Sequence, residues 1–349
     1  MSLFQLRKTI GIDLGTASCL VYKDDKIVVN EPSVVSVDAE TGEVLCIGRE
    51  AQVMIGRTPA NIRTVRPLRD GVISQYEVTL QMLDYFIKEA FKKNGRPVAH
   101  LKPKVVVCIP SGITEVEERA VVDAARNAGA YSVHLIEEPV AAAIGAGIDI
   151  SKASGNMIVD IGGGTTDIAV IALDGVVVSE SIKVAGDKFN EAIIKYVRNK
   201  YNVMIGDQTA DKVKREIGNV YRHDPFITKN YGGRCLAQGI PKNVTLSSSE
   251  MLEAMLGPIQ AILDAVCQVI ERTPPELIGD ITRNGICMTG GGSCLMGLAN
   301  LITDFTGIRA YVAPNPINCV AIGTGKSIEK LGLLSDRPVN VARPGSRPY

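Results

Sequence analysis

Asn156-Met-Ile-Val-Asp-Ile-Gly-Gly-Gly-Thr-Thr-Asp-Ile-Ala-Val-Ile-Ala172 is the stretch on which the fold turns. It reads as a strand, a glycine-rich turn and a second strand; Leu173-Asp-Gly175 then makes a polar turn and Val176-Val-Val-Ser179 a third strand. The chain opens in the same way. Thr9-Ile-Gly-Ile-Asp-Leu-Gly-Thr-Ala-Ser-Cys-Leu-Val-Tyr22 gives strand, tight glycine turn and strand, Lys23-Asp-Asp-Lys26 a polar turn, and Ile27-Val-Val29 a third strand. Asp13 and Asp160 hold the same place in the two copies. Two copies indicate a duplicated domain and not a solenoid. The length of 349 residues agrees, since about 100–200 residues per domain leaves room for two.

Composition narrows the function classes. Lys and Arg total 38 and Asp and Glu total 38, so no bulk positive charge draws the chain to nucleic acid. The longest apolar runs, such as 105–109 and 140–148, fall short of the roughly 18–20 residues that span a bilayer. The first ten residues lack the basic start, apolar middle and small-residue cleavage site of a secretory leader. The eight cysteines are scattered, none as Cys-x-x-Cys, which reads as buried reduced thiols in a cytoplasmic protein.

Between and after the copies lie alternating α and β signals. Ser74-x-x-Glu77 and Thr114-x-x-Glu117 each read as a capping box opening a helix, ended by Asn94-Gly95 and Gly129 respectively. Lys104–Ile109, closed by Pro110, reads as a buried strand and 133–136 as a further strand. Glu137-Glu-Pro-Val-Ala-Ala-Ala-Ile-Gly-Ala-Gly147 places Pro139 in a first helical turn, and its small residues suit close packing against backbone. Helices are expected at 187–201, at 208–217, and from the Ser247-x-x-Glu250 box to about Arg272 with a kink at Gly257-Pro258. Strand 285–288 meets Thr289-Gly-Gly-Gly-Ser293, which is expected to open a helix over 294–305.

Three glycine-rich turns, at 11–17, 162–166 and 290–293, each follow a strand. Glycine lets several backbone N–H groups converge on an anion with no Cβ in the way. Either aspartate alone is explained by an Asp capping its own turn; a matched pair, one per half, suits a hydrated Mg²⁺, which takes few protein ligands. No Gly-x-x-x-x-Gly-Lys-[Ser/Thr] and no helix-opening Gly-x-Gly-x-x-Gly after the first strand is present, so a P-loop and a dinucleotide site are disfavoured. Glu137 and Glu138 also fit a plain acidic first turn, but Glu138 heads the Ala/Gly helix and is the better candidate to orient water. Thr165 and Thr166 fit a strand, and beside three glycines a hydroxyl there can face a γ-phosphate.

The motifs Asp13-Leu-Gly-Thr, Glu138-Pro, Asp160-Ile-Gly-Gly-Gly-Thr-Thr and Thr289-Gly-Gly-Gly resemble the actin/sugar-kinase/heat-shock ATPase superfamily. Pro110-Ser-Gly-Ile-Thr-Glu-Val-Glu-Glu-Arg-Ala120, Ala185-Gly-Asp187, Lys214-Arg-Glu-Ile-Gly218, Thr273-Pro-Pro-Glu-Leu277 and Asn318-Cys-Val-Ala-Ile-Gly-Thr-Gly-Lys326 narrow the likeness to bacterial MreB-type actins, over about 9–331. The resemblance implies an α/β, actin-like fold: two duplicated ribonuclease-H-like lobes, each with a smaller subdomain, and a nucleotide cleft between them. Lobe I would take 1–145 with 312–335 (subdomain IB about 33–66), lobe II 146–311 (subdomain IIB about 182–246), and 336–349 a disordered tail.

It further implies ATP/ADP and Mg²⁺ as ligands and self-assembly into homopolymeric, paired filaments. Asp13 and Asp160 would hold the Mg²⁺. Gly15, Thr16 and Ala17, with Gly162, Gly163, Gly164 and Thr166, would clamp phosphates. Glu138, helped by Thr165, would position the attacking water. Gly290, Gly291, Gly292 and Ser293 would lie under the nucleoside, and Asp211 and Lys214 would approach ribose and base. The implied role is an ATPase of the cell-shape cytoskeleton, peripheral at the inner face of the cell membrane, working with cell-shape and wall-synthesis membrane proteins and not with nucleic acid. Asp211 stands where the family usually has Glu, Ser18 where Asn is common and Asp167 where Glu is common. For membrane contact only the short Ser2-Leu-Phe-Gln-Leu6 segment and the basic 92–103 loop offer themselves. A chaperone-type ATPase would carry a substrate-binding domain after the nucleotide-binding part, and a small-molecule kinase would need a catalytic Asp motif for a hydroxyl substrate that is absent here.

Overall fold

The computed structural model describes residues 8–92, 102–222 and 226–330. The first copy of the opening pattern builds a five-stranded sheet in the order Ser132–Glu137, Lys104–Ile109, Thr9–Leu14, Ser18–Lys23, Lys26–Pro32. The second copy builds another in the order Ala310–Val312, Ile286–Thr289, Asn156–Ile161, Thr166–Ala172, Gly175–Ile182. The two orders correspond strand for strand. In each, the aspartate-bearing strand runs parallel to a later strand, which in turn runs parallel to the edge strand. The duplication read from the glycine hairpins thus extends to the strands that follow them. Lys104–Ile109 and Thr166–Ala172 are buried at every position, as near-continuous apolar runs covered on both faces must be.

The chain forms two compact units. One comprises the residues up to Ser154, 171–177 and those from Asn318 on; the other comprises Gly155–Val170 and Val178–Ile317. In the first, Ile10, Ile12, Val105 and Val107 pack on Met82, Leu83 and Phe86 of helix Tyr76–Ala90 and on Ala124 and Ala125 of helix Glu115–Asn127. Helices Glu138–Gly145 and Cys319–Lys330 lie against each other at backbone distance: a Cβ at Gly145 would fall 1.8 Å from the Cys319 carbonyl oxygen, and one at Gly323 would fall 1.7 Å from that of Ala141. That contact is what the Ala/Gly face of the sequence is for. In the second unit Val159, Ile161, Ile168 and Val170 pack with Phe189, Ile193 and Val197 of helix Gly186–Tyr201 and with Met255, Ile259, Ile262 and Val266 of helix Ser248–Arg272. Each unit also carries a small three-stranded sheet, Val44–Ile47, Val35–Asp38 and Ile62–Val65 in one, and Val203–Met204, Thr228–Cys235 and Pro241–Ser247 in the other.

Several local expectations hold and several change. The Thr114 and Ser247 capping boxes both form. The Ser74 box does not: Ser74 Oγ donates to the Pro67 carbonyl at 2.9 Å, and helix Tyr76–Ala90 begins from Gln75 without a side-chain cap. A local backbone acceptor won the hydroxyl. Helix Ser248–Arg272 runs through Pro258 as one element. At 25 residues it is long and apolar enough, by composition, to cross a membrane; its buried residues Met251, Met255, Ile259, Ile262, Val266 and Val269 recur at helical spacing, the mark of a stripe facing a core. After Thr289 a 3₁₀ turn, Gly291–Cys294, replaces the expected helix start. The α-helix Leu298–Thr306 begins only after Gly297, whose left-handed φ of 81° breaks the run. All eight cysteines are free thiols, five of them buried. The Asn94-Gly95 stop, Ser2–Leu6 and the 336–349 tail lie outside the described residues, as does all of the 92–103 loop except Lys92, Lys102 and Pro103.

Helix Gly186–Tyr201 is tied to the start of Ser248–Arg272 by an ionic cluster. Lys200 Nζ lies 2.8 Å from Glu250 Oε1, the Tyr201 hydroxyl also donates to Glu250, and Ser247 Oγ donates to its other oxygen at 2.9 Å. Burial pushes the Glu250 carboxyl up, but the bonds from Lys200, Tyr201 and Ser247 together outweigh it and bring it down to about 2. A depressed carboxyl contributes stability above its ordinary value near 4.5 and loses it as pH falls toward about 2. Glu250→Gln should therefore lower stability by about 1 kcal/mol at neutral pH, the usual worth of a capping interaction. In urea titrations at stepped pH, the gap from the parent chain should close between pH 4.5 and 2. A gap of constant size would mean that the ionised carboxylate is not what matters.

Candidate functional site

In the first unit the site is assembled at the carboxyl ends of three adjacent parallel strands, the edge where open α/β sheets bind ligands. Asp13 lies near the end of Thr9–Leu14, Cys108 near the end of Lys104–Ile109, and Glu138 directly after Ser132–Glu137. Ile12 pairs with Val107, and Cys108 with Ile136, so register brings the three side chains toward one edge. Asp13 keeps some exposure, yet the protein crowds its carboxyl and burial pushes it up to about 7, against a weaker opposing pull from the Cys108 thiol. Burial and the charges of Asp13 and Glu138 push the Cys108 thiol well above its ordinary range. Glu138 is 9% exposed and heads helix Glu138–Gly145 with Pro139 in the first turn, where helix amides favour an acidic side chain.

The turn at 15–17 is held from outside. Ser33 Oγ donates to the Gly15 carbonyl at 2.7 Å, Ser33 N–H to the Ala17 carbonyl at 3.1 Å, and Gly71 N–H to Thr16 Oγ1 at 3.0 Å. A Cβ at Gly15 would lie 2.8 Å from the Ser18 carbonyl oxygen, so glycine is what lets this turn close. Thr16 is buried, whereas Ala17 is exposed.

In the second unit Asp160, 4% exposed, sits directly opposite Thr289 on the neighbouring parallel strand, and the Thr289 hydroxyl donates to Asp160 Oδ1 at 2.6 Å. Two glycine turns flank it. In 162–164, Gly162 N–H donates to the Thr165 carbonyl at 2.9 Å. Helix Gly186–Tyr201 then secures the turn from its own first residues, with Gly186 N–H on the Gly162 carbonyl at 3.1 Å and Asp187 N–H on the Gly163 carbonyl at 2.8 Å. Lys214 Nζ reaches the Gly186 carbonyl at 3.0 Å and Asp211 at 3.1 Å, which places Lys214 beside this turn; Asp211 also pairs with Arg215 at 2.5 Å. Thr165 is buried, and the Thr166 hydroxyl donates to the Val184 carbonyl at 2.7 Å, so that hydroxyl is bound into the backbone. The second turn packs on Ile161, the last residue of the strand before the first turn: a Cβ at Gly290 (φ 78°) would fall 2.3 Å from the Ile161 carbonyl oxygen, and one at Gly292 would fall 2.3 Å from Ile161 Cγ2. Ser293 Oγ closes it on the Gly290 carbonyl at 2.7 Å, and Gly291 is exposed.

Each unit therefore brings its own expected residues together: Asp13, Gly15, Thr16, Ala17 and Glu138 in one, and Asp160, the 162–166 and 290–293 segments, Asp211 and Lys214 in the other. The sequence did not single out Ser33, Gly71, Cys108 or Thr289 for the roles seen here. Their contacts depend on sheet register and loop return, which no local spacing reveals. Among the described residues no group of three or more His, Cys, Asp or Glu could form an all-protein metal cage. A single carboxylate in each unit, Asp13 in one and Asp160 in the other, fits Mg²⁺, which takes few protein ligands and keeps waters and phosphate oxygens as the others. Two surface grooves of the second unit, one lined by Lys195, Tyr196 and Pro258 and the other by Leu252, Leu256 and Phe305, share no residue with these turns.

A family model described as MreB/Mbl protein matches residues 7–336. The chain is 48% identical over 330 residues to the cell shape-determining protein MreB of Escherichia coli (strain K12), covering 93% of this chain and 94% of that one. It is 45% identical over 337 residues to the cell shape-determining protein Mbl of Bacillus subtilis (strain 168), covering 95% and 99%. The crystal structure of MreB5 of Spiroplasma citri bound to AMPPNP superposes with a TM-score of 0.86 at 39% identity, covering 93% of this chain and 96% of that one. The MamK double helical filament, 22% identical with a TM-score of 0.79 over 93% and 99%, shares the fold, which is actin-like.

Proposed function

The chain belongs to the MreB/Mbl family, and from that premise we propose that it binds and hydrolyses ATP and polymerises into filaments that maintain cell shape. The observation that carries the reading is the repeated unit itself: an aspartate at the carboxyl end of the central strand of each five-stranded sheet, followed at once by a glycine turn. The AMPPNP- and ADP-bound structures of the Spiroplasma citri relative support a nucleotide as the ligand.

In this reading each aspartate–glycine turn serves the nucleotide. Backbone amides of 15–17, Gly163 and Gly164 bind phosphate oxygens, while Gly162 N–H, held by the Thr165 carbonyl, shapes the turn, and the 290–293 turn lies beneath the nucleoside. Lys214 and Asp211 stand at its ribose and base. Asp13 and Asp160 would hold the Mg²⁺, which would supply neutralisation of phosphate charge in the transition state. Glu138 takes a hydrogen bond from the attacking water and orients it, with Thr165 alongside. Positioning and charge stabilisation do most of the catalytic work in phosphoryl transfer. Loss of the γ-phosphate removes contacts that favour the assembled state, and filament turnover follows hydrolysis. The filaments lie at the inner face of the cell membrane, where shape and wall-synthesis proteins meet them.

The test pairs phosphate release with sedimentation in ATP, ADP and AMPPNP. Pelleting should be strongest with ATP or AMPPNP and should decline as phosphate appears. Sedimentation indifferent to the nucleotide, or phosphorylation of a sugar, contradicts the proposal.

A further inference from the structure

The two sheets meet the same local requirement with different chemistry. Asp160 is held by a hydroxyl from the strand beside it: Thr289 Oγ1 to Asp160 Oδ1, 2.6 Å, both side chains buried. Asp13 is met from the corresponding strand of the first sheet by a thiol, Cys108 Sγ to Asp13 Oδ1 at 3.5 Å, with Cys108 2% exposed. Asp160 pairs with Thr289 in register, and Ile12 with Val107 sets Asp13 beside Cys108, so Cys108 and Thr289 stand at equivalent places in the duplicated fold. A hydroxyl-to-carboxylate bond is charge-assisted and short. A thiol is a weak donor.

We propose that Cys108 and Thr289 are the positioning residues of the two aspartates, with Thr289 fixing Asp160 as a prearranged anchor and Cys108 leaving Asp13 an adjustable arm. The inference rests on the assignment of both aspartates to Mg²⁺-nucleotide. A carboxylate whose rotamer is already set by a second group loses less freedom when a cation arrives, the general reason outer partners of metal ligands tune affinity. The asymmetry also has a use: a weakly held Asp13 can follow the phosphates as they change, whereas Asp160 stays fixed. The bland alternative is that Thr289 only satisfies a buried carboxylate. In that case its loss loosens the site equally with and without metal.

The test is the affinity of the full chain for AMPPNP, measured by calorimetry in Mg²⁺ and again in EDTA. Thr289→Val keeps the shape and removes the donor; binding in Mg²⁺ should weaken about tenfold, the low end for lost outer partners of metal ligands, with the EDTA affinity within about twofold. Thr289→Ser should restore it. Cys108→Ser, a stronger donor of similar size, should tighten binding in Mg²⁺ about twofold or more. If Thr289→Val does not fold, Thr289→Cys, which copies the first sheet, decides, with a loss of about threefold expected in Mg²⁺ alone. Equal weakening in both buffers, or an unchanged or weakened Cys108→Ser chain in Mg²⁺, overturns the proposal. A parent chain that fails to bind AMPPNP in either buffer refutes the nucleotide reading instead.

Discussion

Glu138→Ala should hydrolyse ATP about 10²–10³-fold more slowly than the parent chain while binding AMPPNP within about threefold of its affinity. The residue sits at the first turn of helix Glu138–Gly145, 9% exposed, at the same sheet edge as Asp13. Its place is set by strand Ser132–Glu137 on one side and by Pro139, which fixes the first helical turn, on the other. The second sheet has no counterpart. Leu135 pairs with Val107 where Val312 pairs with Met288, so the position equivalent to Glu138 falls at Asn315, in a turn with a φ of 51°. The proposed water-orienting role thus falls to one half only. Glu138→Gln keeps a polar side chain of the same length and should fall between Ala and the parent. Single-turnover phosphate release checks both; an unchanged rate in Glu138→Ala removes this residue from the mechanism.

Gly323→Ala should be the most damaging single-atom change in the first unit. The added Cβ would lie 1.7 Å from the Ala141 carbonyl oxygen and 2.9 Å from the Gly145 nitrogen, backbone atoms that cannot swing aside. Helices Glu138–Gly145 and Cys319–Lys330 must move apart, which opens the packing above the sheet. Overpacking costs about 1–3 kcal/mol and more where backbone must shift, so a loss of about 3 kcal/mol or more is expected. At about 2–4 °C per kcal/mol for units of this size, thermal unfolding should fall by roughly 6–12 °C. Because the displaced helix carries Glu138 at its head, hydrolysis should fall with it. Gly279→Ala is the control: it is exposed within helix Pro275–Asn284, and its Cβ would meet nothing within 4 Å. It should stabilise by about 0.5–1 kcal/mol, the helix-propensity gain alone. Equal melting temperatures for the two variants would show that the close helix contact carries little of the stability.

The repeated strand–turn–strand pattern was enough to place both central hairpins, because a short apolar strand punctuated by glycine is a local signal. The Thr114 and Ser247 capping boxes were readable for the same reason. Ser74 misled because a tertiary neighbour, the Pro67 carbonyl, competed for its hydroxyl. The Thr289–Ser293 turn misled because Gly297, eight residues past Thr289, takes the left-handed conformation that delays the helix. Cys108 read as one more buried thiol, and Thr289 as the first letter of a glycine motif. Their shared place beside an aspartate exists only in the register of parallel strands joined through long stretches of chain. Asp211 was expected near ribose; its pairing with Lys214 and Arg215 along one helix face follows from i+3 and i+4 spacing and was legible in principle.

The central claim, that each aspartate–glycine turn serves Mg²⁺-dependent nucleotide binding, is tested most directly by calorimetric titration of AMPPNP in Mg²⁺ into the parent chain, Asp13→Asn and Asp160→Asn. Binding is predicted for the parent, with a loss of Mg²⁺-dependent affinity in each variant. Binding that ignores either aspartate would contradict it.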